Sequence, residues 1–318
     1  MKKQLISIIS GCYNEEKNIV PLYTRIVKVF EKIPYEFELI LVDNASTDNS
    51  LAEYERLSKK DKRVKILLMS RNFGSPQPSF IAGFKHMKGE AAVLLDSDIQ
   101  DPPELIPKFL AKWKKGFKVV YGVKEKRKGA GIIMGFSYKA FYYLLNKMSY
   151  IKLPINAGEF SLMDKVVINE MLQLGEFEYY VRCLRAYVGY EQAGINYVRD
   201  ARVMGKSDTN FLKNLWWAKT IIINFSFKPL SYISQVAFFV MLLTCIMIVV
   251  DVILYFINRD APRGIPTIVI LILFLGGVQL LSLSVIAEYL ARIYMEIKHR
   301  PRYIIKRALN ISKIQQDH

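Results

Sequence analysis

Over the first two-thirds of the chain, apolar residues recur in short runs separated by polar turns. Over the last third they form two long runs. Gln4 to Gly11, Phe37 to Val42, Val64 to Met69, Ala91 to Leu95 and Phe117 to Tyr121 are apolar, and this predicts five buried strands. Between them, Glu15 to Lys32, Asn49 to Lys60 and Pro103 to Lys115 read as helices. Strands alternating with helices, with nearly continuous apolar strand runs, predict an α/β fold with a mostly parallel sheet covered on both faces.

The pattern changes near Lys228-Pro229. Leu230 to Ile257 carries one charge, Asp251 near its end, and Ile265 to Ala287 carries none. Each run exceeds the ~20 apolar residues that cross ~30 Å of hydrocarbon. The short connector, Asn258 to Gly264, makes them a transmembrane hairpin, and Gly276, Gly277 and Ser282 favour close packing. Lys228 precedes the first span, and Arg292, Lys298, Arg300, Arg302, Lys306 and Arg307 follow the second. The connector has only Arg259 and Arg263, beside Asp260, so the positive-inside rule predicts a cytoplasmic first domain and C-terminus. Ile132 to Met148 and Phe211 to Phe227 mix aromatic and basic residues; the second reads as an interfacial helix, the first equally as interfacial or packed on the sheet. The expected organisation is a domain over 1–208, an interfacial helix over 209–228, the hairpin within 229–298 and a basic tail over 299–318.

Composition adds two points. The 318 residues are 52% hydrophobic and carry a formal charge of +16, which suits an anionic leaflet or a phosphorylated substrate. Lys124, Lys126, Arg127 and Lys128 cluster just past the fifth strand, and no nucleic-acid motif accompanies them. Cys12, Cys183 and Cys245 lack the spacing of a disulfide framework or a zinc site. Met1-Lys2-Lys3 ahead of an apolar run ending at Cys12 imitates a lipoprotein signal, but the run is short and reads better as a first strand.

The candidate chemistry falls at strand carboxyl ends, where open α/β sheets bind ligands. Tyr13-Asn14-Glu15, Asp43-Asn44, Ser70-Arg71-Asn72 and Asp96-Ser97-Asp98 each follow a predicted strand. The strongest signal is Asp96 to Glu104. Carboxylates there suit a hard divalent cation whose shell is completed by phosphate oxygens. Asp98 is the expected ligand and Gln100 a second oxygen donor, with Asp96 orienting a ribose or the metal shell. Asp101, before Pro102-Pro103, reads as a helix N-cap.

In order and spacing these segments resemble family-2 inverting glycosyltransferases of the GT-A fold, and more closely the polyprenyl-phosphate hexose transferases. Gly158 to Asp164 resembles that group's next motif, and Phe274 to Leu290 its second membrane span. The resemblance implies a nucleotide-sugar donor, UDP-linked by preference, a polyprenyl phosphate acceptor, Mg2+ or Mn2+, and an integral protein of a plasma or inner membrane. It also suggests a homo-oligomer, with a tetramer as the model. It implies that Tyr13, Glu15, Asp43, Arg71, Arg202 and Lys206 bind donor and that Asp98 and Gln100 hold metal. Arg127 would bind acceptor phosphate, and Asp96 and Glu159 complete the catalytic set. Departures stand at Asn44 for a second aspartate, at Glu159 and Ser161 for the usual aspartate and arginine, at Asp208 for a basic residue, and across Ser75-Pro76-Gln77-Pro78.

Rival readings fare worse. Gly205-Lys206-Ser207 ends like a P-loop, but Asp200 occupies the position of the first glycine. The Gln-x-x-Arg-Trp signature of processive synthases is absent. A non-catalytic membrane scaffold derived from such a transferase is the alternative.

Overall fold

The computed structural model describes residues 3–125, 147–148, 151, 154, 157–199, 219–220, 222–257 and 265–317. Two compact units emerge, one formed by residues 1–142, 151–208 and 299–318, the other by 143–150 and 209–298.

The first unit runs β1 (Leu5–Cys12), α1 (Glu16–Phe30), β2 (Glu36–Asp43), α2 (Ser50–Lys60), β3 (Val64–Met69), α3 (Gln77–His86) and β4 (Ala91–Leu94). After a 3-10 turn at Pro103–Leu105 come α4 (Ile106–Lys114), β5 (Val119–Lys124), β6 (Ala157–Asp164), α5 (Lys165–Gln173), α6 (Val181–Val188) and β7 (Gln192–Tyr197). Among the described residues one eight-stranded sheet forms, in the order β7-β5-β6-β4-β1-β2-β3-β8, where β8 is Ile305–Leu309. The junctions β1–β2, β1–β4, β2–β3 and β5–β7 are parallel. Those of β6 with β4 and β5, and of β8 with β3, are antiparallel. Ile6, Ile8, Leu39, Leu41, Ile66 and Val93 are wholly buried, as strands covered on both faces require.

The predicted strands stand where expected, within three residues at their ends. The order of strand addition reverses at β1, which pairs in parallel with β2 on one side and β4 on the other, and this opens a crevice at the carboxyl ends. The opposite edge is tied shut. Glu38 accepts from Ser7 Oγ at 2.5 Å and from the Gly89 N–H at 3.2 Å, and pairs with Lys65. Gly89 has no room for a side chain, since a Cβ there would lie 2.7 Å from the Ser7 nitrogen.

In the second unit, α7 (Lys228–Ile257) and α8 (Ile265–Ile297) are long and apolar enough to cross a membrane by length and composition. The second helix runs ten residues past the span expected from hydropathy.

The segment 299–318, expected as a basic tail, is a structural part of the first unit. Its strand β8 pairs β3 with Leu67 opposite Ala308. Asn310 closes the pairing by donating to the carbonyls of Ser58 and Val64 at 2.7 and 2.8 Å. Asp317 locks the end: it accepts from Arg302 Nε at 2.8 Å and from Lys85 Nζ at 2.6 Å, and is 3% exposed. Burial alone would raise its carboxyl, but the hydrogen bonds from Arg302 and Lys85 outweigh it and hold the pKa at about 2.

Asp317→Ala is expected to destabilise the full chain by about 3 kcal/mol at neutral pH, because it strands two partly buried cations. A depressed carboxylate stabilises above its ordinary value and loses that effect as pH falls through its folded value. The gap between variant and wild type should therefore close from about pH 4 towards about pH 2. Thermal unfolding in detergent across this range tests both, and equal melting temperatures at pH 7 reject the lock.

Candidate active site at the strand carboxyl ends

The ends of β1 to β4 converge on a cleft of about 290 Å3 whose walls include Tyr13, Glu15, Asn44, Asn72, Asp96 and Asp98. Its first wall is built by short polar loops in left-handed conformations. Asn14 and Ala45 have φ of 55° and 60°. The Asn14 side-chain Oδ1 accepts from the Thr47 N–H at 2.8 Å, so the β1 and β2 loops brace each other. Tyr13 is 45% exposed, standing at the rim as a ring able to stack on a flat ligand.

Asp43, an expected donor ligand, is 6% exposed and directed inward. It accepts from the Ser46 N–H at 3.0 Å, from Tyr54 OH at 3.2 Å and from the Ser46 hydroxyl. Its neighbour Asn44 lines the cleft instead. The Asn44 amide donates to Asn72 Oδ1 at 3.1 Å and accepts from the Phe73 N–H at 2.9 Å. Asn72 Oδ1 also accepts from the Gly74 N–H at 2.7 Å. A carboxylate at position 44 could not donate to Asn72, so the departure there has a local cause. Arg71 is exposed, with its guanidinium 4.0 Å from the Phe73 ring centroid.

The acidic turn after β4 forms the floor. Ser97 Oγ donates to the Gly11 carbonyl at 3.1 Å, and Ile99 takes φ 59° to fold the turn back. Asp98 accepts from the Gln100 N–H at 3.2 Å. Recession from water, then the carboxylates of Asp101 and Asp98, push the Asp96 carboxyl up to about 7, with Arg199 opposing them. Asp101 is not the helix cap the sequence predicts: the turn at Pro103 has no side-chain cap. Asp101 is 1% exposed, accepts from Tyr197 OH at 2.5 Å and pairs with Arg199 Nε at 3.2 Å. Burial makes a charge partner worth more to this carboxylate than a helix end.

Arg199 is a candidate site residue that sequence reasoning missed. Its guanidinium also lies 3.8 Å from Asp96 and 3.9 Å from Asp98. It follows β7, so the rule that located the other candidates would have found it. Gly194 interrupts the apolar pattern of that strand and hid it.

Glu159 stands next to this floor. Continuing the β4–β6 register, in which Leu94 faces Ser161, sets Asp96 beside Glu159. Glu159 Oε1 accepts from Gln77 Nε2 at 3.2 Å. Asp164, which ends the same motif, is structural: it caps α5 and accepts from Trp113 and Lys118, each at 2.8 Å. Burial pushes the Cys12 thiol up to about 12, which leaves it without nucleophilic character. Arg127, Arg202, Lys206 and Asp208 lie outside the described residues, as do most of the two segments read as interfacial helices.

Asp96 and Asp98 are hard oxygen donors in a crowded anionic turn, which suits a divalent cation. Among the described residues no three His, Cys, Asp or Glu side chains gather to hold one. The donor set therefore fits an ion that draws its other ligands from water and phosphate, as Mg2+ commonly does.

Residues 7–172 match the family model described as glycosyl transferase family 2. The chain is 36% identical over 304 residues to an uncharacterised glycosyltransferase of Synechocystis sp., covering 94% of each chain. It is 35% identical over 306 residues to a bactoprenol glucosyl transferase of Shigella phage SfX, covering 95% of this chain and 98% of that one. Among solved structures it is similar to a mannosyltransferase from Pyrobaculum calidifontis in complex with GDP-Man and Mn2+, at 19% identity and TM-score 0.46, covering 65% of this chain and 59% of that one.

Asn44→Asp is expected to loosen the wall between β2 and β3 by about 1–3 kcal/mol, because two acceptors then face each other. Faster hydrogen exchange at the Phe73 and Gly74 amides, with a lower melting temperature, is the expected reading. Unchanged exchange there would reject the account of Asn44.

Proposed function

The chain belongs to glycosyl transferase family 2 and has its GT-A fold, and from that premise we propose that it transfers a sugar from a nucleotide-sugar donor, UDP-linked by preference, to polyprenyl phosphate with inversion. The observation that carries the reading is the Asp96–Asp98 turn, set at the floor of a cleft walled by Tyr13, Glu15 and Asn44. Near full-length similarity to bactoprenol glucosyl transferases supports the lipid acceptor.

Asp98 and Gln100 would hold Mg2+ or Mn2+, with Asp96 alongside. Bound there, the ion neutralises charge on the departing diphosphate. Tyr13 and Glu15 place the nucleoside at the rim, with Asp43 bracing the loop behind them. Arg199 stands within reach of the same charge, and Arg202 and Lys206 are assigned to the diphosphate and Arg71 to the rim. A phosphomonoester, with second pKa about 6, is largely dianionic at neutral pH and needs positioning more than deprotonation. Arg127 supplies that positioning. A phosphate oxygen attacks the anomeric carbon in line as the bond to the nucleotide diphosphate breaks. Glu159 orients the reacting groups from β6.

The bilayer is the third partner. Phe238, Phe239, Leu273, Leu280 and Leu281 on α7 and α8 are 64–70% exposed, an apolar surface that lipid covers better than water. Integral insertion in a plasma or inner membrane, a cytoplasmic catalytic domain and C-terminus, and a homo-oligomer complete the proposal.

Asp98→Ala is expected to reduce transfer by at least about 100-fold while membrane insertion and yield stay unchanged. Purified protein with Mg2+, a panel of nucleotide sugars and a short polyprenyl phosphate, followed by mass spectrometry of the lipid product, measures it. Full transfer by the variant removes the metal assignment. No lipid-linked sugar from wild type with any donor removes the proposal.

A further inference from the structure

Arg185 is a buried arginine with unusual partners. It lies on α6 and is 0% exposed, the largest wholly buried side chain among the described residues. Its Nη2 donates to the Gly158 carbonyl at 3.0 Å, and its guanidinium lies 5.1 Å from the Tyr121 ring centroid. Its Nε and Nη1 have no hydrogen-bond partner. Leaving such donors unpaired in the interior is unfavourable, so their presence calls for an explanation. Burial brings its pKa down to about 10, and the charge of Glu159 is the largest influence opposing that fall.

Glu159 shows the complementary irregularity. Its Oε1 is held by Gln77, while its Oε2 is buried with no hydrogen-bond partner. Gln77 is itself fixed, since its Oε1 accepts from the Val181 N–H at 3.0 Å, at the start of the helix that carries Arg185. On the same helix, Arg182 Nη1 donates to the Ala157 carbonyl at 3.3 Å. The end of β6 that presents Glu159 is thus gripped by α6 through two backbone carbonyls and by α3 through one amide. Ser161, two residues on, turns its hydroxyl to the Glu159 carbonyl at 2.8 Å and offers no charge.

We infer that Arg185 is a positioning residue for Glu159: from α6 it supplies the positive charge that the strand itself lacks at Ser161, and with Gln77 it aims the carboxylate towards the transfer point beside Asp96. This deepens the transferase reading and rests on it. Gln77 and Glu159 are two of the positions that set this chain apart from the group it resembles, and the hydrogen bond between them makes them one arrangement. Arg185 touches no reacting atom, and its effect passes through Glu159.

The test is steady-state transfer by the full chain in detergent, comparing wild type with Arg185→Met, Arg185→Lys, Arg185→Gln, Glu159→Gln and the Glu159→Gln/Arg185→Met double variant. Arg185→Met is expected to lower kcat by about 30-fold with KM for the nucleotide sugar within about 3-fold, as loss of an interaction that matters in the transition state requires. Arg185→Lys should recover part of the loss. The double variant should be no slower than Glu159→Gln alone by more than about 3-fold, because the two side chains act as a unit. Additive losses, or a kcat unchanged in Arg185→Met, overturn the inference while leaving the transferase reading intact. Absence of transfer by wild type removes both. If Arg185→Met fails to fold, Arg185→Gln decides, since it removes the charge while keeping a polar side chain: a kcat within 2-fold of wild type overturns the inference, and a loss of about 5-fold or more at constant KM supports it.

Discussion

Concentrated negative charge on one turn governs this molecule. Asp96, Asp98 and Asp101 stand within six residues at the carboxyl end of β4, Asp96 and Asp98 lining the cleft and Asp101 buried. Recession from water raises the Asp96 pKa most, and repulsion from Asp101 and Asp98 raises it further. The fold answers with Arg199 brought in from the end of β7, three places beyond β4 in the sheet, and with Tyr197 on Asp101. What remains is negative charge at Asp96 and Asp98 that Arg199, 3.8 and 3.9 Å away, offsets only in part. The same turn explains why the strand order has β6 reversed beside β4: antiparallel pairing brings the start of β6, with Glu159, to the end of β4.

The parts of this design visible in the sequence are those encoded locally. Five buried strands announce themselves because each is an apolar run long enough to cross the sheet. The clusters at Tyr13, Asp43, Arg71 and Asp96 were legible because polar residues directly after such runs can only emerge at the carboxyl edge. Strands that depend on partners far away were not legible. Gln192–Tyr197 contains Gly194, whose backbone must pass close to Tyr121, where a Cβ would come within 3.2 Å. Ile305–Leu309 carries Lys306 and Arg307 and reads as a charged tail, because an edge strand with one face in water needs few apolar residues. Asp101 was misassigned for a related reason: a preceding proline pair is a local signal, whereas the pull of Tyr197 and Arg199 comes from almost a hundred residues away.

Three of the departures from the resembling group, at Asn44, Gln77 and Glu159, have local hydrogen-bond partners. Asn44 meets Asn72, and the amide donates where a carboxylate could not. Gln77 meets Glu159, and the longer carboxylate receives that amide. A substitution next to a binding cleft shifts the contacts of its neighbours, so the energetic effects of residues in contact are coupled. This weakens the view of the chain as a scaffold whose site has decayed, since decay removes partners without supplying replacements.

Pairing of β8 with β3 also constrains the route of the chain. Residues 64–69 and 305–309 share a sheet, so they lie on one side of any membrane, and the intervening segment crosses it an even number of times. Two spans, α7 and α8, meet that condition where a single span would not. The pairing changes the meaning of the basic residues after α8 as well. Arg302 is committed to Asp317, and Arg307 to Glu55 at 2.8 Å, so part of the charge that sequence alone assigns to the membrane surface instead holds the sheet together. The positive-inside count therefore rests on fewer residues than it first includes, with Lys298 and Arg300 the nearest to the helix end. Insertion of the hairpin, as proposed, would be coupled to closure of the sheet, because β8 follows both helices in the chain and pairs with β3, which precedes them.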